Sequence, residues 1–250
     1  MRFTGKSVLI TGGTRGIGKA TARAFLAEGA RVAINGRTET SVAAAMSDFQ
    51  GDAVPAAGDV STVEGCEAAV GAALSAFGGL DILVNNAGVF FRATVEETDE
   101  LAWDNLMAAN VKSVLFCTRA AIGALKAARG NVINLASESG INGYPGTTAY
   151  CASKGAVISL TQSMAMEFAP DIRVNALCPG AVETDMARAG FAINGDEDEG
   201  IRRQHDAYPL RRIGTVDECA AAILFLASDQ AGFINGAALP MEGGATVGKW

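Results

Sequence analysis

Histidine is nearly absent from this chain: His205 is the only one, and it lies in a polar stretch. A zinc site or a Ser-His-Asp triad would have to be built around that one residue, which argues against both, and no metal is expected. The five cysteines, Cys66, Cys117, Cys151, Cys178 and Cys219, are odd in number, widely spaced and free of any C-x-x-C. They read as reduced thiols of a cytosolic protein, not as a disulfide framework or a metal ribbon. Cys151, beside Tyr150, is either a reactive thiol or a small residue in a helix. No apolar run approaches the roughly 18 residues of a membrane span. The first six residues lead straight into a strand with no signal-peptide core, so a soluble, cytoplasmic protein is expected. Positive charge is short, with 20 Lys+Arg against 27 Asp+Glu and a formal net charge of −7. Nucleic acid and anionic membranes are therefore poor partners. No Pro- or Ser-rich linker divides the 250 residues, and 49% of them are hydrophobic, which suits one domain, 1–250, with a full core.

Glycine is what the chain has in excess, 30 residues with no short repeat. Where they cluster they mark tight turns and close backbone contacts. An apolar strand over 7–11 ends in Gly12-Gly13-Thr14-Arg15-Gly16-Ile17-Gly18, and a helical pattern follows as far as Gly29. Strand, glycine-rich turn, helix is the context of a nucleotide site. Glycines let the backbone approach a pyrophosphate, and the helix start offers free N–H groups and a positive dipole end. A second strand follows over 30–35 and runs into Gly36 and Arg37. An NAD site would hold the ribose hydroxyls with a carboxylate here. Glycine removes that repulsion of a 2′-phosphate, and Arg37 supplies a planar donor fork for it. Arg15 is a second candidate contact. The cofactor reading is NADP(H), with NAD(H) as the alternative.

Alternation of helix and strand continues to the end. A helix over 40–49, a strand at 53–57 and a small-residue helix to 77 lead to the strand at 80–84, whose continuous apolar run suits a parallel strand covered on both faces. Asp59, just past the third strand, either caps the next helix or accepts from an adenine amino group. Asn110 sits mid-helix in an apolar setting, a poor place for asparagine. It is either a satisfied structural amide or a group that holds a water near a site. Ser137 ends the fifth strand, where open α/β sheets bind ligands. A helix to about 168 carries Tyr150 and Lys154 one turn apart on one face. An ammonium near a phenol favours the phenolate, so the Tyr150 pKa is expected below about 10, a way to make a proton donor and acceptor for an alcohol or ketone. A sixth strand over 172–178 precedes Pro179-Gly180. Residues 183–213 read as a long polar substrate-binding loop whose acidic run, 195–200, is a solvated tip. A helix over 215–227 and a strand over 237–241 complete the pattern, and Pro240 puts that strand at the sheet edge.

Six strand–helix alternations and a closing strand give a single-domain Rossmann-type α/β fold, a doubly wound parallel sheet of about seven strands with helices on both faces. Over its full length the chain resembles the short-chain dehydrogenase/reductases. The matching segments are residues 11–18, Asn85-Asn86-Ala87-Gly88, Asn110, Ser137, Tyr150-x-x-x-Lys154 and Pro179-Gly180. The resemblance implies Tyr150 as general acid/base and Lys154 as the residue that lowers its pKa and holds the nicotinamide ribose. It implies that Ser137 binds the substrate oxygen and that Asn110 anchors a water relay. It further implies cofactor contacts from Gly12, Thr14, Arg15, Gly16, Ile17, Gly18, Arg37, Asp59, Val60, Asn86, Ala87, Gly88, Pro179, Gly180, Val182 and Thr184. The implied reaction moves hydride between a nicotinamide and the carbonyl carbon of a small-molecule ketone/secondary alcohol pair. 3-Oxoacyl thioester reduction and sugar or polyol oxidation are both open, the former preferred. The family's usual assembly implies a homo-oligomer, tetramer or dimer. A reading of another class is a nucleotide-binding regulator on the same fold, without turnover.

Overall fold

The computed structural model describes residues 1–192 and 195–248. Seven parallel strands form one sheet in the order β3-β2-β1-β4-β5-β6-β7. They are β1 Ser7–Ile10, β2 Arg31–Gly36, β3 Ala53–Ala57, β4 Ile82–Asn85, β5 Asn131–Leu135, β6 Arg173–Pro179 and β7 Ala238–Met241. Helices α1 Gly16–Ala27, α2 Glu39–Met46, α3 Val63–Phe77, α4 Glu100–Met107, α5 Ser113–Ala128 and α6 Thr148–Phe168 connect them, followed by α7 Asp185–Phe191, α8 Glu197–Ala207 and α9 Val216–Ala227. Among the described residues no helix is long and apolar enough to cross a membrane.

Strand side chains alternate between two cores, which explains why the strands read as unbroken apolar runs. Leu9, Leu83, Val132 and Val174 pack on one face with Cys66 and Val70 of α3, Leu125 of α5 and Val157 of α6. Val8, Ile10, Ile34, Val84 and Ile133 pack on the other with Phe25 of α1 and Ile223 of α9. Each fully buried Leu, Ile or Val contributes about 1.5–3 kcal/mol of transfer free energy. Both edge strands contain proline inside the strand, Pro55 in β3 and Pro240 in β7, whereas Pro179 only ends the interior strand β6. A residue with no N–H is tolerated where one side of the strand has no partner.

Strand order reverses between β1 and β4, because the chain passes from β3 across the sheet to β4. The crevice beyond the carboxyl ends of these strands is where doubly wound sheets bind ligands. Buried amides brace it from below. The Asn85 side chain donates to Asn134 Oδ1 (2.9 Å) and Thr118 Oγ1 (3.2 Å), and Asn134 donates to Thr161 Oγ1 (2.9 Å).

The 183–213 segment departs from its expected loop. It folds into α7 and α8, with residues 193–194 outside the described set. The acidic run is solvated, as expected, but it forms the start of a helix and not a loop tip. Asp196 caps α8 by accepting from Glu199 N (2.9 Å), and Glu197, Asp198 and Glu199 occupy its first turn, where the helix dipole favours negative charge. Glu199 then pairs with Arg202 and Arg203, three and four residues on.

Candidate active site

A cleft of ≈ 1180 Å³ opens along the carboxyl ends of the strands. That exceeds the usual range for a single drug-sized ligand, roughly 300–1,000 Å³. At one end the β1–α1 turn presents Gly12, Thr14, Arg15, Gly16 and Ile17. Gly12 and Gly16 adopt φ of 61° and 54°, a left-handed backbone that other residues adopt at a cost. A Cβ on Gly12 would sit 3.0 Å from the Ala87 Cα, so the turn needs glycine to lie against the end of β4. Gly18 does not line the cleft. A Cβ there would lie 2.4 Å from the Gly12 carbonyl oxygen and 2.5 Å from Asn86 Nδ2, so its task is to let α1 press against the turn. The Asn86 side chain donates to the carbonyls of Thr11 (2.8 Å) and Gly12 (3.1 Å), and Thr11 Oγ1 accepts from the N–H groups of Asn86 and Ala87, both at 3.0 Å. Asn35, unremarked in the sequence, ties the turn to β3: its Oδ1 accepts from Gly12 N (3.2 Å) while its Nδ2 donates to the Ala56 carbonyl (2.8 Å).

Whether this turn fits a dinucleotide can be judged from its free donors. Thr38, Thr62, Asp99, Thr184, Asp196 and Thr215 cap α2, α3, α4, α7, α8 and α9 through their side chains. The N-terminus of α1, which faces the cleft, has no side-chain cap. Uncapped N–H groups over a glycine cradle match the requirements of a pyrophosphate. Arg37, Asp59 and Val60 line the same end, with Thr38 and Ser41. Arg37 Nε stands 4.0 Å from Asp59 Oδ2, both side chains largely exposed. Asp59 does not cap α3; Thr62 does, and Asp59 Oδ1 accepts from Ser61 N at 3.0 Å. Ala87 and Gly88, then Pro179, Gly180, Val182 and Thr184, line the middle of the cleft.

The other end brings together Ser137, Tyr150 and Lys154. The Ser137 hydroxyl is near enough to the Tyr150 phenol to act on it, while its Oγ donates to the Pro179 carbonyl (3.4 Å) and accepts from Ser139 N (3.1 Å). Lys154 is 5% exposed, and its Nζ donates to the Leu135 carbonyl at 2.7 Å and lies 5.8 Å from the Tyr150 ring centre. Burial pushes Lys154 down to about 8. It pushes Tyr150 up to about 12, against the lowering expected from the Tyr–Lys spacing. The physical reason is that desolvation of the phenolate is the largest influence on Tyr150, with the nearby Ser137 hydroxyl the one influence that lowers it. Asn110 stands behind this end, off the cleft surface. It sits in a π-helical turn, Ala108–Lys112, between α4 and α5, so the poor helix residue does distort the backbone. Its amide is fully used: Oδ1 accepts from Val89 N (2.8 Å), and Nδ2 donates to the Val89 carbonyl (3.0 Å) and Ser153 Oγ (3.1 Å). Cys151 is a partly buried helix residue whose Sγ lies 3.4 Å from Thr147 Oγ1 and 3.7 Å from the Asn142 carbonyl.

A family model described as enoyl-(acyl carrier protein) reductase matches residues 12–246. The chain belongs to the short-chain dehydrogenase/reductase family. It is an NAD(P)-dependent dehydrogenase/reductase of that family, acting on alcohol and carbonyl groups. Meso-2,3-butanediol dehydrogenase of Serratia marcescens is 39% identical, with 99% of this chain and 97% of that protein covered. 3-Oxoacyl-(acyl-carrier-protein) reductase of Vibrio cholerae is 38% identical, covering 98% of each. The crystal structure of levodione reductase superposes with a TM-score of 0.95 at 30% identity, over 99% of this chain and all of that one.

Several residues of the substrate end carry no mark in the sequence. Phe90 packs edge-on against Tyr150, ring centres 4.8 Å apart, and Phe191 of α7 lies 5.9 Å from Phe90. Glu138, the residue after Ser137, is buried, and Tyr208, just past α8, donates to its Oε1 at 2.6 Å. No local pattern marks residues 70 apart in sequence as partners.

Proposed function

We propose that the protein transfers hydride between NADP(H) and a ketone/secondary alcohol pair, with Tyr150 as the proton donor and acceptor, Ser137 holding the substrate oxygen, and Lys154 and Asn110 organising the site. The observation that carries this reading is the convergence of Ser137, Tyr150 and Lys154 at one end of a cleft whose other end holds an uncapped glycine turn and Arg37. When bound, the nicotinamide supplies the hydride, and the chain positions the substrate and handles the proton. Gly36 supports NADP(H) over NAD(H). A Cβ there would lie 2.8 Å from Thr14 Cγ2 and from Val42 Cγ2, so the end of β2 has no room for the carboxylate that a ribose diol would want.

The spectrophotometric test is a screen of carbonyls and alcohols with each nucleotide, following the reduced nicotinamide band. Turnover that disappears in Tyr150→Phe, while nucleotide binding persists, is the expected result. Unchanged activity in that variant would refute the catalytic reading and favour a nucleotide-binding regulator.

The substrate class is 3-oxoacyl thioester or hydroxylated alcohol, and relatives of both kinds share the fold. The buried Glu138 carboxyl favours the second. We also propose a soluble cytoplasmic homo-oligomer. Five free cysteines suit a reducing compartment, and Leu101, Trp103 and Leu115 stand exposed on α4 and α5, an apolar surface that a second copy would cover. Light scattering on the purified protein tests the assembly, and a monomer refutes it.

A further inference from the structure

Glu138 is a buried carboxylate placed beside Ser137 and Tyr150, and the proposed reaction gives it no task. It is 8% exposed and lines the cleft next to Ser137. Its charge is near enough to act on the Tyr150 phenol. The Tyr208 hydroxyl, fixed by an N–H bond from Ala181 (2.7 Å), donates to Oε1. Tyr144 lies near the carboxyl from the loop before α6, and Glu242 faces it from beyond β7. Oε2 is buried with no hydrogen-bond partner among the described residues. An unpaired buried acceptor on a charged group is costly, more so than on a neutral one, and a donor brought to Oε2 would remove that cost. Tyr208 has one hydroxyl hydrogen, already given to Oε1, and the remaining groups that face the carboxyl are another carboxylate and a phenol short of bonding geometry.

Resting on the proposed carbonyl/alcohol chemistry, we infer that Glu138 is the substrate-selecting residue: Oε2 accepts a hydrogen bond from a hydroxyl on the carbon next to the reacting one, so the preferred substrates are vicinal diols and α-hydroxy ketones. A thioester or plain ketone brings only acceptors to that position and leaves Oε2 unpaired. Sites built to bond a substrate hydroxyl reject analogues that lack it far more strongly than apolar pockets discriminate by size. Tyr208 makes this a device of the α7–α8 segment, because it comes from past α8 and holds the carboxyl in one orientation.

The test compares 3-hydroxybutan-2-one with 3-methoxybutan-2-one and butan-2-one, using whichever nucleotide supports turnover. The methoxy ketone keeps the inductive effect of oxygen on the carbonyl but has no donor. A kcat/KM about tenfold or more higher for the hydroxy ketone is expected from one charge-assisted hydrogen bond. Glu138→Gln, which must keep an acceptor on Tyr208 and so turns an amide donor to the substrate, should bring the ratio near one. In the wild-type enzyme the preference should fade as pH drops through about 6, the value to which burial raises Glu138, and the Gln variant should show no such step. Equal turnover of the hydroxy and methoxy ketones by the wild-type enzyme overturns the inference. So does a Gln variant that loses the same factor on every substrate. The wild-type comparison and its pH profile stand even where the variant fails to fold. Binding of the same pair to nucleotide-loaded Tyr150→Phe separates the two claims. Absence of hydride transfer in the wild type refutes the oxidoreductase reading, whereas equal binding of both ketones refutes the role of Glu138.

Discussion

Replacing Arg37 by alanine isolates the proposed recognition of a 2′-phosphate. In the cofactor-free protein the guanidinium is 71% exposed and its Nε is 4.0 Å from Asp59 Oδ2. A pair so exposed is worth about 0–1 kcal/mol, so little must be given up before Arg37 can turn to a phosphate. A charge-assisted hydrogen bond from it would then contribute about 1.5–3 kcal/mol, or roughly a ten- to hundredfold change in Kd. Fluorescence titration should show NADPH binding weakened by that factor in Arg37→Ala, with NADH changed by less than about twofold. Because the site is open to solvent, the wild-type preference for NADPH should shrink as ionic strength rises, and the variant should lose that salt dependence. Gly36→Asp is a poorer probe. Its Cβ would crowd Thr14 and Val42 at 2.8 Å and move the turn along with the charge. NADPH that binds no tighter than NADH in the wild type, or an Arg37→Ala that weakens both nucleotides equally, refutes the reasoning.

Three further outcomes follow from the geometry. Gly18→Ala places a methyl 2.4 Å from the Gly12 carbonyl oxygen, a backbone atom that cannot swing aside. Overpacking of about 1–3 kcal/mol should lower Tm by several degrees and weaken both nucleotides together, and calorimetry showing an unchanged Tm would contradict it. Lys154→Met should abolish turnover yet raise stability at pH 7. Burial lowers Lys154 from 10.5 to about 8, so its charge penalty is full below pH 8 and fades by about 10.5; chemical denaturation should show a gain of about 1–3 kcal/mol at pH 7 that shrinks at pH 10. All three tyrosines, Tyr144, Tyr150 and Tyr208, are raised by burial, the first two to about 12. Absorbance titration of the cofactor-free protein should therefore show little tyrosinate below pH 10, and a titration near 8 that vanishes in Tyr150→Phe would overturn the account.

The parts of this molecule that sequence made legible are those where one segment contains its own explanation. β1, the glycine turn and α1 are contiguous, and their periods change from strand to helix within a few residues. Ser137, Tyr150 and Lys154 each sit at a recognisable place, a strand end or one helix face. What stayed hidden depends on long-range contact. Asn35 looks like an ordinary strand residue until its amide is seen to span β1 and β3. Glu138 and Tyr208 are unremarkable until the chain returns from α8. The α7–α8 segment reads as a loop for a different reason. Its apolar stripe is short, with Ala187, Gly200 and Ile201 the buried positions, so polarity outweighed periodicity. A signal was there to use: Asp196 followed three residues later by Glu199 is a helix start, and the acidic residues around it are those a helix N-terminus favours.

Tyr150 and Lys154 show how the same spacing supports two opposite electrostatic conclusions. Placing a cation beside a phenol lowers its pKa, and that holds wherever charge proximity is the larger influence. In this cleft both groups are buried, and burial acts on each against its charged form, raising the phenol to about 12 and lowering the ammonium to about 8. Nζ does not bond the phenol; it is held by the Leu135 carbonyl at the end of β5. The one influence that lowers the phenol is the nearby Ser137 hydroxyl. At neutral pH the open site therefore presents a protonated phenol, the form that gives a proton to a carbonyl oxygen. Taking a proton from an alcohol needs the phenolate, which desolvation disfavours. The cleft is thus built as a proton donor, with the Tyr150 ring held edge-on against Phe90 at 4.8 Å.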